Sequence, residues 1–153
     1  MNDTYIVKFL INEVKKQASD DCNQTLHQFI SCKNNQGLTP LHYASYKGNL
    51  EILDLLLENG ADINVVSENG QNLVHIAAQG DQPTSIVYLR EKYNFNLENQ
   101  DKKGSTPLHW SIFTGSAGAF KFLISYDLDF NKCDNEGMTP LHLAIESGKI
   151  SCF

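Results

Sequence analysis

Four histidines, His42, His75, His109 and His142, recur at intervals of 33, 34 and 33 residues. Imidazole is the side chain best suited to bind a transition metal or to move a proton near neutral pH, so this column is the first candidate for chemistry. Its spacing argues against a shared metal. If each interval is one layer of a stack, neighbouring helices lie about 8–10 Å apart, whereas zinc holds imidazole nitrogens at about 2.0–2.1 Å. The column reads instead as structural, each ring bonding to the backbone of the adjacent layer. His27 stands apart from it, at a surface. The cysteines, Cys22, Cys32, Cys133 and Cys152, show no C-x-x-C spacing and read as free thiols of a reducing compartment. Cys133 falls in a loop and Cys152 in a helix stripe, and both read as packing residues. There is no G-x-S-x-G, no P-loop, no G-x-G-x-x-G and no cysteine paired by spacing with a histidine. The carboxylates Asp62, Asp101, Asp129, Asp134 and Glu136 are scattered through loops, where Asp101 and Asp134 open turns and would bond turn amides. The expectation is no catalytic residue, no metal site and no cofactor in these 153 residues.

The elements that position the histidines are written in one repeated phrase: Gly37-Leu38-Thr39-Pro40-Leu41-His42, Gly70-Gln71-Asn72-Leu73-Val74-His75, Gly104-Ser105-Thr106-Pro107-Leu108-His109 and Gly137-Met138-Thr139-Pro140-Leu141-His142. Each copy predicts a turn, an inner helix, a short turn, an outer helix and a loop. In the first, Thr39 caps an inner helix over 40–47 and Pro40 occupies the first helical position, where no N–H is needed. Gly48-Asn49 turns the chain, and an outer helix over 50–59 carries the stripe Ile52, Leu53, Leu56, Leu57. Gly60 then supplies a left-handed residue, a place taken later by Asn94 and Asp127. The second copy has Asn72-Leu73 for Thr-Pro, which predicts a less rigid start, and carries its extra residue in Gln79-Gly80-Asp81-Gln82-Pro83. The third has Ser111 where the others have alanine, and the small turn Gly115-Ser116-Ala117-Gly118; the fourth reaches Phe153 inside its outer helix.

A period of about 33 residues around T-P-L-H-x-A resembles the ankyrin repeat over residues 34–153. The resemblance implies an all-α solenoid of stacked helix-turn-helix units with an N-terminal helical cap. The expected division is a degenerate cap over 1–33, repeats over 34–66, 67–100 and 101–133, and a truncated repeat over 134–153. In the cap, Ile6, Phe9, Leu10 and Val14 form one stripe of a helix over 4–17. Cys22, Leu26, Phe29 and Ile30 form another over 21–31, with Asp20-Asp21 as its caps. These stripes are expected to cover the stack while Lys8, Glu13, Lys15 and Lys16 meet water. A fourth unit with half an outer helix leaves apolar surface open, so the chain is read as part of a longer protein.

A net charge of −6 and a pI near 5.2 exclude a basic surface for nucleic acid. No apolar run approaches the roughly 18 residues of a membrane span, and Met1-Asn2-Asp3-Thr4 lacks the features of a signal peptide, so a cytoplasmic domain that does not itself enter a membrane is expected. Function then falls to recognition, because turn tips and inner helices of a repeat array line a concave groove. Tyr43 with Tyr46 and Trp110 with Phe113 each share a helix face, and exposed aromatics are the usual anchors of an interface. Tyr43 and Trp110 have a second reading, as fillers of the core position that Ile76 and Leu143 occupy elsewhere. The expected partner-binding residues are Tyr43, Tyr46, Gln79, Trp110, Phe113 and Glu146, and the expected ligand is an extended or short helical peptide of a partner protein. A monomer is expected, with end-to-end pairing through Ile150, Cys152 and Phe153 as the alternative.

One stretch is similar to a narrower group. His75-Ile76-Ala77-Ala78-Gln79-Gly80-Asp81-Gln82-Pro83, then Lys103-Gly104-Ser105-Thr106-Pro107-Leu108-His109-Trp110 and Thr114-Gly115-Ser116, resembles the ankyrin region of DHHC-type protein S-acyltransferases (palmitoyltransferases) over residues 70–145. The resemblance implies a membrane enzyme whose ankyrin arm lies on the cytosolic face of an internal membrane and recruits substrates, and whose Asp-His-His-Cys domain lies beyond this chain. There the catalytic cysteine takes an acyl chain from acyl-CoA and passes it to substrate cysteines. It also implies Trp110 as a peptide anchor, while Gln79-Gly80 stands where an amide-bearing clamp residue is expected. No Asp-His-His-Cys motif occurs here. The alternatives are an ankyrin adaptor or regulator with no attached enzyme, and a purely structural array.

Overall fold

A computed structural model describes residues 3–17 and 22–148. The elements in chain order are α1 (Asp3–Gln17), α2 (Cys22–Ile30), α3 (Pro40–Lys47), α4 (Leu50–Glu58), α5 (Leu73–Gln79), α6 (Pro83–Tyr93), α7 (Pro107–Thr114), α8 (Ala117–Leu123) and α9 (Pro140–Ser147). Among the described residues there is no strand. The inner helices α3, α5, α7 and α9 pack in sequence, each on the next, and each of α4, α6 and α8 backs its own inner helix. The fold is the all-α solenoid that the period implied. Leu53, Leu73, Val74, Ile86, Leu89, Leu108 and Leu123 fill its core and are fully or almost fully buried.

The repeated glycine has two reasons. Gly37, Gly70, Gly104 and Gly137 all take φ between 72° and 79°, a region that side chains resist. A Cβ on Gly104 would also lie 2.7 Å from the amide nitrogen of Asn135 in the next turn. The turns approach this closely because they are bonded edge to edge: Glu68 N–H donates to Gln36 O at 3.0 Å, Lys102 N–H to Asn69 O at 2.9 Å and Asn135 N–H to Lys103 O at 2.9 Å. Inside each turn a polar residue accepts amides, Asn34 Oδ1 from Gln36 and Leu38, and Asp134 Oδ1 from Glu136 and Met138.

Three expectations are revised. The start of α5 is not looser for lacking proline, because Asn72 Oδ1 accepts from both Val74 N–H and His75 N–H at 3.1 and 3.2 Å. Asp127 is not left-handed, whereas Asn94 is, with φ 55°; α8 ends instead at Ile124 in right-handed geometry and winds on through Ser125 and Tyr126. In α1 the packed face is Thr4, Val7, Ile11 and Val14, and Ile6, Phe9 and Leu10 are exposed, as is Phe29 on α2. Both stripes of α1 are apolar, so helical period alone cannot choose between them. The choice follows from packing against the first repeat, where Val7, Ile11 and Val14 join the core and Thr4 Oγ1 donates to Glu51 at 2.9 Å beside them. The expected caps Asp20 and Asp21, the Cys22 side chain, and Ile150, Cys152 and Phe153 lie outside the described residues.

The extra residue of the second unit sits where expected. Gly80-Asp81-Gln82 join α5 to α6, one residue more than Gly48-Asn49 or Gly115-Ser116. The surplus is absorbed by Asp81 at φ 54°, and its Oδ1 accepts the Ala119 N–H at 2.7 Å, bonding this turn to α8 of the next unit. Gly80 is fixed by packing, since a Cβ there would fall 2.1 Å from Tyr46 O. An amide-bearing clamp residue has no room at that position.

Candidate functional site

Three histidines of the column, His42, His75 and His109, are engaged on both ring nitrogens. Nδ1 of His42, His75 and His109 accepts the backbone N–H of Thr39, Asn72 and Thr106 at 3.1–3.3 Å. Nε2–H donates forward to the next turn, at Gln71 O, Ser105 O and Met138 O, at 3.4, 3.1 and 3.2 Å. A ring accepting at one nitrogen and donating at the other is neutral, and burial agrees: desolvation holds His42 down at about 4 and pushes His75 and His109 below the ordinary imidazole value. Each of these three imidazoles is a tie between layers, with no lone pair left for a metal.

The candidate peptide groove runs along the inner helices and divides into two clefts. The first, about 220 Å³, is lined by Gln36, Leu38, Tyr43, Tyr46, Ile76 and Gln79. Tyr43 is 51% exposed, which removes the reading that it fills the core as Ile76 does. Its hydroxyl accepts from Asn34 Nδ2 at 3.1 Å, and Lys47 stands over the Tyr46 ring at 5.5 Å. Gln79 Nε2 is buried and without a hydrogen-bond partner, a state that costs about 1–3 kcal/mol.

The second cleft, about 490 Å³, lies between α7 and α9 and includes Trp110, Phe113, Met138, Leu143 and Glu146. Trp110 and Phe113 meet edge to face with centroids 5.6 Å apart. Trp110 is half-buried and Phe113 is 57% exposed. The indole is held in place: Trp110 Nε1–H donates to Asp101 Oδ2 at 2.8 Å, while Asp101 Oδ1 accepts the amides of Lys103 and Ser105 at 2.8 and 3.0 Å. The turn-opening role of Asp101 was readable in the sequence, but its grip on Trp110 was not. Nine residues separate the two, and only the fold of the turn onto the inner helix joins them. The six expected site residues thus fall into two groups, Tyr43, Tyr46 and Gln79 in one cleft and Trp110, Phe113 and Glu146 in the other. A third hollow, about 580 Å³ and apolar, opens between α1 and the α3–α4 pair beside Val7, Leu38, Tyr43 and Ile52; nothing in the sequence announced it. No helix among the described residues is long and apolar enough to cross a membrane.

A family model described as ankyrin repeats (3 copies) matches residues 73–153, and one described as ankyrin repeats (many copies) matches residues 1–57 and 41–90. Among known proteins the chain is similar to Alpha-latrotoxin-Lh1a of Latrodectus hasselti, 37% identical over 83 residues that cover 54% of this chain and 6% of the toxin. It is similar to Palmitoyltransferase AKR1 of Lachancea kluyveri, 30% identical over 128 residues, 60% of this chain and 17% of that protein. It is also similar to Notch-regulated ankyrin repeat-containing protein A of Danio rerio, 33% identical over 89 residues, 54% of this chain and 80% of that protein. The chain therefore spans less than a fifth of the length of the first two.

Proposed function

The chain belongs to the ankyrin-repeat family, and from that premise we propose that it reads a peptide segment of a partner protein along the two clefts, with Tyr43, Tyr46, Gln79, Trp110, Phe113 and Glu146 as the contact residues. The observation that carries this reading is the indole of Trp110, pinned by Asp101 at 2.8 Å and left half-open beside an exposed Phe113. A rigid aromatic surface costs little entropy on binding, which is what an anchor requires. Gln79 lines the neighbouring cleft beside Tyr43 and Tyr46. We further propose that the array is the substrate-recruiting arm of a membrane DHHC-type protein S-acyltransferase; the similarity to Palmitoyltransferase AKR1 supports it. The catalysis of such an enzyme would lie outside these residues.

A second reading, an ankyrin adaptor with no attached enzyme, is favoured by the relative from Danio rerio, of which the chain covers 80%. The coding sequence beyond Phe153 separates the two. Apolar spans with an Asp-His-His-Cys segment uphold the acyltransferase arm, and further repeats alone, or a stop, uphold the adaptor. The groove is tested by selecting peptides from a displayed library on the wild-type chain and repeating the selection on Trp110→Ala/Phe113→Ala. Affinity of the selected peptides falls at least about tenfold in a variant that keeps its helical circular dichroism; unchanged capture sinks the groove reading.

A further inference from the structure

The two clefts differ in charge. Around the first stand Gln36, Gln79 and tyrosines, with Lys47 already over the Tyr46 ring. Around the second stand three carboxylates, Asp134, Glu136 and Glu146, against one ammonium, Lys103. Among the described residues none of the three carboxylates is in an ion pair, and Lys103 is in none either. A concave site lined by one sign of charge and walled by aromatic carbon concentrates the opposite charge.

The aromatic wall has the same preference. An indole is the strongest side-chain receptor for a cation over its face, and Trp110 donates its N–H to the buried carboxylate of Asp101. A negative charge in the ring plane enriches the π-face, and the bond fixes which way that face turns. Resting on the peptide-groove reading above, we infer that the Trp110–Phe113 cleft is a subsite for a cationic side chain, an arginine or lysine of the bound peptide. The guanidinium or ammonium lies on the Trp110 face with Glu136 and Glu146 at its flank. Lys103 is the competing cation at the same rim, so the cleft favours a ligand that can displace it.

Trp110 is the chain's single tryptophan, so one indole N–H resonance reports the subsite directly. The full 153-residue chain is titrated with four capped tripeptides, Gly-Arg-Gly, Gly-Lys-Gly, Gly-citrulline-Gly and Gly-norleucine-Gly, and the Trp110 indole signal is followed in nitrogen-resolved NMR spectra at low and high salt. The arginine and lysine peptides move the signal and bind about tenfold tighter than the neutral pair, and the gap narrows with salt. Glu136→Gln/Glu146→Gln, two exposed carboxamide replacements that leave the fold intact, abolishes the gap, and Lys103→Gln widens it. Equal binding of the citrulline or norleucine peptide, an unmoved indole, or a Glu136→Gln/Glu146→Gln protein that keeps the gap would overturn the inference. The peptide-groove reading fails separately: a neutral peptide won by selection and lost in Trp110→Ala/Phe113→Ala upholds the groove while removing the cationic subsite.

Discussion

At the α5–α7 junction, buried His75 takes the amide of its own turn and gives its Nε2–H to Ser105 O in the next, in a layer whose turns are also bonded backbone to backbone. At the α1–α4 junction the polar contacts are Thr4 and Lys8 reaching one exposed carboxylate, Glu51, at 2.9 and 3.3 Å. Apolar side chains do the rest there, and a hollow of about 580 Å³ stays open beside them. The first junction is specified by polar groups that have one satisfying geometry. The second is held by burial, which has no direction, and it leaves Tyr5, Ile6, Phe9 and Leu10 in water. Periodic sequence produces the first kind of junction because each layer presents to the next the groups it accepts from the one before.

The largest way to break this contrast is His75→Ala. It orphans the Asn72 amide and leaves a void in a fully packed layer, at a cost of about 4 kcal/mol read from urea unfolding. A loss below about 1 kcal/mol would mean that the column is not the tie between layers.

Acid is the next test. Burial depresses the folded-state pKa of His42 to about 4, against an ordinary value of 6.5 in the unfolded chain. A depressed group contributes stability in full above about pH 6.5 and loses it as pH falls toward 4. The loss for His42 alone is about 3 kcal/mol, with His75 and His109 adding in the same direction. Imidazole titration by NMR locates the value; a His42 that titrates near 6.5 removes the effect.

Glycine replacements sharpen the comparison between an interior layer and the last one described. Gly104 and Gly137 share φ near 78°, but of the two only Gly104 faces a following turn among the described residues. Gly104→Ala costs about 3 kcal/mol and Gly137→Ala about 1 kcal/mol, the difference being the approach of Asn135. Equal losses would make the dihedral alone responsible. At the other extreme Glu51→Gln leaves the urea midpoint within error, because a solvent-exposed pair contributes little. A clear drop there would show that the α1–α4 junction depends on its polar contacts after all.

Much of this was legible in the residues. The 33-residue spacing carried the stack, Thr106-Pro107 and Thr139-Pro140 carried the helix starts, and Asn94 carried a left-handed stop. These are local effects, set by which dihedrals and hydrogen bonds a short segment can satisfy alone. The aromatic pairs were legible as well, since spacing by three residues puts two side chains on one helix face. Their division into a neutral and an acidic cleft was not, because Glu136 and Glu146 meet Trp110 only across two different layers.

By itself the sequence determined the repeat unit: its turn glycine, its capped inner helix and the histidine that reaches forward. Only the tertiary structure decided which of two apolar stripes α1 buries, that Asp81 takes a left-handed geometry to cap α8, that Asp101 grips the Trp110 indole, and that Gly80 has no room for a side chain. The reason is common to all four. Each depends on the distance between groups that folding brings together, across layers for α1, Asp81 and Gly80 and from turn to inner helix for Asp101, which no local pattern encodes.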